Sequence, residues 1–475
     1  MKKNYLKQLV FIGLSMFFCA NAQGQNAELR SLFAEDDAAV IYMSDNGDWA
    51  CGSAFNNNDG AGFQSNASKW DLTTGERIYL VAEDELDRAQ SDAFCISDDG
   101  LLVGGQYLRE PAYHLNGEWH VLPMPKGYTM GEVRDFAIVE NDTIFVGRIF
   151  DGDGFQKIQS AKWVNGEFEK IVDLIPEEYQ RDEENKMMNQ VTYISTDGKV
   201  ILGAIKPVYW PQNANIEERI PFIINDGEFK LLSPMNREEF SQLDQNSVRF
   251  FQDEKMSCNG RYIALQMFAN QTNIPCYYDV KEDKFIIIEE APENTTCLVV
   301  DNEGNPYYGG PVLTGDFRKT YVTIDGTAAL IDDVLMTTFG ITQEQIDAIC
   351  LDELLIGSLR WVYNISSDSK TIIGCAGEGS GTYNWVLKLP FPLTEGEFTA
   401  VENIVNDANA VFYAEGNINF TNEVDYVEIY NINGQLVQNE EVSASFIPTK
   451  LAQGIYVVKA YNANKQITTS KLIIK

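Results

Sequence analysis

The stretch Val191-Thr192-Tyr193-Ile194-Ser195-Thr196-Asp197-Gly198-Lys199-Val200-Ile201-Leu202-Gly203 decides the fold. It reads as a short apolar strand, a tight turn and a second apolar strand. Asp tolerates left-handed backbone angles and Gly adopts them without steric cost, so Ser195-Thr196-Asp197-Gly198 closes a hairpin. Ser44-Asp45-Asn46-Gly47 and Ser97-Asp98-Asp99-Gly100 are near copies. Cys258-Asn259-Gly260, Asn302-Glu303-Gly304 and Ser366-Ser367-Asp368-Ser369 are looser ones, and Glu140-Asn141-Asp142 holds the same place in a further copy. A second hairpin signature lies downstream of the first. Leu115-Asn116-Gly117-Glu118-Trp119, Val164-Asn165-Gly166-Glu167-Phe168 and Asn225-Asp226-Gly227-Glu228-Phe229 share it. Thr73-Thr74-Gly75-Glu76, Lys281-Glu282-Asp283-Lys284-Phe285 and Ile324-Asp325-Gly326 follow it loosely.

Two hairpins make about four strands per unit, and a unit of about 40–65 residues repeated about seven times reads as a β-propeller. The expected fold is all-β: seven four-stranded blades over residues 27–390, with six or eight as alternatives because the third and seventh are irregular, then a small Ig-like C-terminal β-sandwich. A pair of β-sandwiches would carry no internal copies. The blade pattern is similar to repeats of extracellular propellers in bacterial surface proteins, a likeness that implies fold and not activity. One helix is expected from Thr342 to Ile349, with Thr342 as N-cap and Gln345 completing a capping box. The acidic stretch from Pro176 to Asn185 reads as a solvated loop.

Composition sets the class. The chain has 475 residues, 44% hydrophobic and 22% charged, which excludes a mostly disordered chain, a collagen-like fibre and a multi-span membrane protein. Lys and Arg number 36 against 70 Asp and Glu, a net charge of −34. Such a surface repels phosphate backbones and anionic lipid, so nucleic acid is not an expected partner.

Both ends carry export signals. Met1-Lys2-Lys3-Asn4-Tyr5-Leu6-Lys7 is a basic n-region, an apolar run follows from Leu9 to Phe18, and Ala20-Asn21-Ala22 is a small-x-small cleavage site. Residues 1–22 are therefore expected to be a signal peptide, and no later stretch is apolar enough for a transmembrane helix. At the other end, Val427-Glu428-Ile429-Tyr430-Asn431-Ile432-Asn433-Gly434-Gln435-Leu436-Val437 is two strands around an Asn-Gly turn. Leu451-Ala452-Gln453-Gly454-Ile455-Tyr456-Val457-Val458-Lys459 follows, and the chain stops on the apolar strand Lys471-Leu472-Ile473-Ile474-Lys475. This order closely resembles the C-terminal sorting domain of the Bacteroidetes type IX secretion system. The resemblance implies that residues 410–475 engage the export machinery, that folded cargo crosses the outer membrane, and that the protein ends on the cell surface or outside the cell. Residues 391–409, opening with Phe391-Pro392, read as the linker.

Most of the seven cysteines beyond the signal sit in apolar strand contexts such as Ala93-Phe94-Cys95-Ile96 and read as buried small hydrophobes. Of the two histidines, His114 occupies a repeat position filled elsewhere by Trp163 and Ile224, so it is expected to pack between blades. No Gly-x-Ser-x-Gly elbow or phosphate loop is present. Two loops stand out. Asp151-Gly152-Asp153-Gly154 could supply hard oxygen ligands, making Asp151 and Asp153 calcium candidates against the alternative of a plain long turn. In Lys206-Pro207-Val208-Tyr209-Trp210-Pro211, Tyr209 and Trp210 could form a platform for a sugar ring or peptide side chain, against a blade-edge cap. The expectation is an exported, non-catalytic propeller that binds a protein or a glycan and needs no cofactor, calcium being the one candidate. Its alternatives are a carboxylate-dependent extracellular glycan hydrolase or lyase, and an accessory component of surface export.

Overall fold

In this computed structural model the described residues run from 27 to 474, except 33–37, 57–63, 87–89, 152–157, 181–186, 208–219, 235–236, 243–248, 251–253, 270–271, 311–318, 350–358, 376–383, 396–410, 415–416, 421–423, 432–435, 443–445, 449–450, 452–453 and 463–464. The signal segment thus lies outside them. The chain divides into two compact units, residues 1–398 and 399–475.

The first unit contains seven antiparallel sheets among the described residues. Their first strands are Ala38–Met43, Ser91–Ile96, Met130–Val139, Met187–Ile194, the two short pieces Arg249–Phe250 and Lys255–Met256, Thr296–Val300 and Arg360–Ile365. Six sheets continue outward in chain order. The seventh does not: beyond Thr371–Cys375 and Asn384–Lys388 its outermost strand is Glu28–Ser31 from the start of the unit. Glu28 lies opposite Lys388 and Ser31 opposite Trp385. This borrowed strand explains why the second hairpin signature has one copy fewer than the first: the last blade needs no chain-local fourth strand.

Each pair of neighbouring blades shares an apolar cluster, and the series returns to its start. Cys51 and Ala67 of the first blade meet Ala93 and Val103 of the second, and Val40 and Trp70 of the first meet Ile373 and Val386 of the seventh. The ring is therefore closed by packing as well as by hydrogen bonds. Trp70, Trp163 and Trp385 are among the largest fully buried side chains. Burying a large aromatic in this way contributes about 2–3 kcal/mol.

The first-signature turn is built the same way five times. The Ser97 hydroxyl donates to Asp99 Oδ1 at 2.6 Å and accepts from Leu102 N at 3.0 Å, while Leu101 N donates to Asp99 Oδ1 at 2.9 Å. Ser44, Ser195, Ser257 and Ser366 repeat the hydroxyl bonds. Asp301 replaces the serine in the sixth blade, its Oδ1 accepting from Asn305 N at 2.8 Å. In the third blade a two-residue turn suffices, with Glu140 at φ 57°. Gly100 sits at φ +69°, and a Cβ there would lie 2.4 Å from the Trp49 ring of the preceding blade. The turn thus fixes both local conformation and blade spacing.

The expected helix is present as Gln343–Asp347, with the capping box between Thr342 and Gln345. A second helix, Ile331–Thr338, was not legible. It buries Ile331, Val334 and Leu335 in the sixth–seventh blade cluster. The acidic stretch expected as a loop contains a short 3-10 turn, Glu177–Tyr179. The segment read as a linker opens inside the propeller core: Leu393 is fully buried, and Phe391 packs on Phe339 with ring centroids 4.8 Å apart. The prolines were read as punctuation, but the apolar residues beside them find a core.

The C-terminal unit is a two-sheet sandwich. One sheet orders Leu436–Glu441, Tyr426–Asn431, Gly454–Asn462 and Lys465–Ile474; the other orders Val411–Ala414, Asn417–Phe420 and Phe446–Pro448. Ile418, Val427, Ile429, Val458 and Leu472 form its core. The strands expected around the Asn-Gly turn pair as read, Tyr426 opposite Glu441.

Candidate functional site

The first strands line the centre of the ring. A cavity of about 360 Å³ opens there, on the side of the first-signature turns. Six of the seven blades contribute, among them through Tyr42, Phe94, Arg134, Tyr193, Met256 and Asn364. Inner-strand bulges aim some of these side chains. Register shifts fall between Val40 and Tyr42, Ala93 and Cys95, Val133 and Asp135, and Val191 and Tyr193. Each inserts one extra residue and re-aims its neighbours. In the third blade the inserted residue is Arg134.

Arg134 spans the cavity. Its Nη2 donates to Tyr42 Oη at 2.8 Å, its Nη1 to Glu132 Oε1 at 3.2 Å, and its guanidinium lies 4.4 Å from the Phe94 ring centroid. Burial works against its charge, but Tyr42 and Glu132 outweigh it and hold the guanidinium protonated above its usual range. Glu132 is itself buried and also accepts from Arg148 Nε at 2.7 Å. Asp135 accepts from Ile194 N at 2.9 Å and from Phe136 N at 2.9 Å. Burial, reinforced by Asp45, pushes its carboxyl up to about 8, so it holds a proton at neutral pH.

The mouth is a ring of turn residues. Thr196 Oγ1 donates to Asp45 Oδ2 at 2.6 Å across the ring, from the fourth blade to the first. Asn46 N donates to Asp98 Oδ1 at 2.8 Å, Asn259 N to Asn302 Oδ1 at 3.0 Å, and Ser367 N to Asp45 O at 2.6 Å. Asp98 is exposed, and its carboxyl is raised by burial of one side and by Asp45, Asp48 and Asp99 nearby. A fixed cation, aromatic walls and an acidic rim can orient a polar ligand.

Of the site residues singled out in the sequence, only Asp151 is among the described residues. Asp153 lies outside the described residues, as do Tyr209 and Trp210. Asp151 is half-buried at the end of the strand Asp142–Phe150. That strand runs away from the Glu140-Asn141 turn, which puts Asp151 about 30 Å from the turn side. Among the described residues no three His, Cys, Asp or Glu side chains are grouped to hold a metal. His114 is buried and lies 5.4 Å from Trp119 on the adjacent strand of its own blade; burial lowers its pKa. Cys51, Cys95, Cys276, Cys297 and Cys375 are buried, matching the reading as small hydrophobes; Cys258 is instead half-buried at the cavity, and Cys350 lies outside the described residues. Arg134 and Asp135 were missed. Asp45, Asp98 and Thr196 were seen only as turn residues, although each holds the same turn position.

Residues 414–475 match the family described as the secretion system C-terminal sorting domain. Fold and C-terminal domain together define an exported β-propeller delivered by a type IX sorting domain to the cell surface or the extracellular space. Among the described residues no helix is long and apolar enough to cross a membrane. No curated protein matches the chain. Among solved structures it is similar to an oligogalacturonate lyase in complex with manganese, at 12% identity over 79% of this chain and 96% of that one, TM-score 0.46. It is also similar to an oligogalacturonate lyase from Vibrio parahaemolyticus, at 11% identity over 78% and 99%, TM-score 0.44. The Dos1 propeller is a third, at 10% identity over 78% and 96%, TM-score 0.38.

Proposed function

We propose that the protein is a surface-displayed binding module whose ligand, a protein or a glycan, engages the ring centre on the turn side. The observation that carries this reading is the cavity lined by six blades, in which the charged groups are tied down before any ligand arrives. Arg134 is held by Tyr42 and Glu132, and Asp45 by Thr196. Groups fixed in this way orient a ligand at little entropic cost. The test is binding of the purified full chain to peptide and glycan arrays, repeated with Arg134→Ala. Loss of the captured ligand in the variant supports the reading, and unchanged capture overturns it.

A catalytic reading turns on Asp135, which lines the ring-centre cavity. Asp135 is protonated at neutral pH, as a general acid must be. Turnover of a polysaccharide that Asp135→Asn abolishes would replace the binding reading with this one. Tyr209 and Trp210 as a ligand platform, and calcium at Asp151 and Asp153, remain proposals, tested by Trp210→Ala and by calcium titration.

A further inference from the structure

The ring-centre cavity has a neighbour. A hollow of about 450 Å³ lies between the second and third blades and shares Ser97, Asp99 and Ile138 with it. Its walls are apolar: Leu101, Tyr113, Leu115 and Phe145, with Tyr113 stacked on Phe145 at 5.0 Å. Ile138, on the shared rim, is the most exposed large apolar side chain among the described residues at 55%, and Leu101, level with Leu108, follows at 52%. Acidic groups frame it. Asp98 and Asp99 are exposed on one side, and Glu140 and Asp142 are exposed on the turn beside Ile138. The nearby cation Lys69 is already committed, its Nζ donating to Gly100 O at 2.6 Å. Apolar surface framed by one sign of charge selects a partner of matching pattern.

We propose that this double hollow docks a protein segment that presents an apolar side chain beside a lysine or arginine. The apolar group fills the space between Leu101, Ile138 and Phe145, and the cation meets Asp98 and Asp99 at the mouth of the ring. This rests on the binding reading above and names its ligand class.

The test is selection of a phage-displayed random dodecapeptide library on the immobilised full chain at physiological ionic strength. Enriched peptides are then synthesised and titrated by fluorescence anisotropy against wild type, Ile138→Asp and the double variant Asp98→Asn/Asp99→Asn. The expected peptides pair an aliphatic or aromatic residue with Lys or Arg within a few positions. Ile138→Asp should weaken them about ten-fold, since it puts a charge in an apolar contact. The double variant should weaken them and flatten their salt dependence. Melting temperatures of the variants establish that both fold. Peptides without that pairing, or peptides that bind Ile138→Asp undiminished, overturn the inference. If the library yields nothing while a glycan array captures a ligand, the inference fails and the binding reading stands. If both are blank, both fail.

Discussion

Replacing Asp135 by Asn should change how stability responds to pH. In the folded chain burial raises this carboxyl from 3.8 to about 8. A raised acid binds its proton more tightly folded than unfolded. Its contribution is therefore fully present below about pH 4 and is lost as pH rises toward the folded pKa of about 8. Between those limits the slope is about −1.4 kcal/mol per pH unit, so from acid to pH 7 the wild type gives up about 4 kcal/mol at this one site. The amide of Asp135→Asn cannot ionise, so its stability lacks that slope. It keeps one acceptor oxygen where the carboxyl had two, for Ile194 N and Phe136 N. That loss shifts its curve by a constant, about 1 kcal/mol. The assay is urea unfolding of both proteins, followed by tryptophan fluorescence at intervals from pH 5 to 8. Taking the difference between them cancels the titration of every other group. The variant should gain on the wild type by about 4 kcal/mol across the range. Parallel curves would refute the reasoning, because they would mean that Asp135 is ionised at neutral pH and well solvated.

Leu32, buried beside the closing strand Glu28–Ser31, should cost about 2–5 kcal/mol as Leu32→Ala. Hydrogen exchange in that variant should rise first in Asn384–Lys388, the strand paired with Glu28–Ser31. Gly100→Ala and Gly117→Ala both force a side chain into left-handed backbone, at about 1–2 kcal/mol each. Gly117 has nothing within 4 Å of the new Cβ, whereas Gly100 meets Trp49, so Gly100→Ala should lower the melting temperature distinctly more. Thr342→Ala removes the capping box and should cost about 1 kcal/mol, with faster exchange confined to Gln343–Asp347. The thiols Cys51 and Cys95, raised well above their usual range by burial, should react with iodoacetamide only on unfolding; labelling of native protein would contradict their burial.

Much of the architecture was legible because hairpin turns are local chemistry. Ser195 to Gly198 carry within four residues the hydroxyl, carboxylate and glycine that the turn needs, and their recurrence counts the blades. Even the looser copy at Cys258 conforms once Ser257 is included, its hydroxyl accepting from Tyr262 N at 3.0 Å. The helix at Gln343–Asp347 announced itself through its cap, whereas Ile331–Thr338 has no side-chain cap hydrogen bond and forms by packing. The site was only half legible. Asp45, Asp98 and Thr196 hold the same position in the turns of the first, second and fourth blades, and a shared repeat position could have been read as one ring. Arg134 carried no such mark, because a bulge is set by the strand beside it.

The sequence by itself thus determined the repeat, the turns and the sorting domain, all of which depend on residues a few positions apart. Only the tertiary structure decided what lies between distant residues. Glu28–Ser31 closes the ring against Asn384–Lys388, Thr196 reaches Asp45, and Arg134 meets Tyr42. These contacts follow from bending seven sheets into a closed circle, where the side chain that faces the centre is fixed by the whole ring and by no single blade.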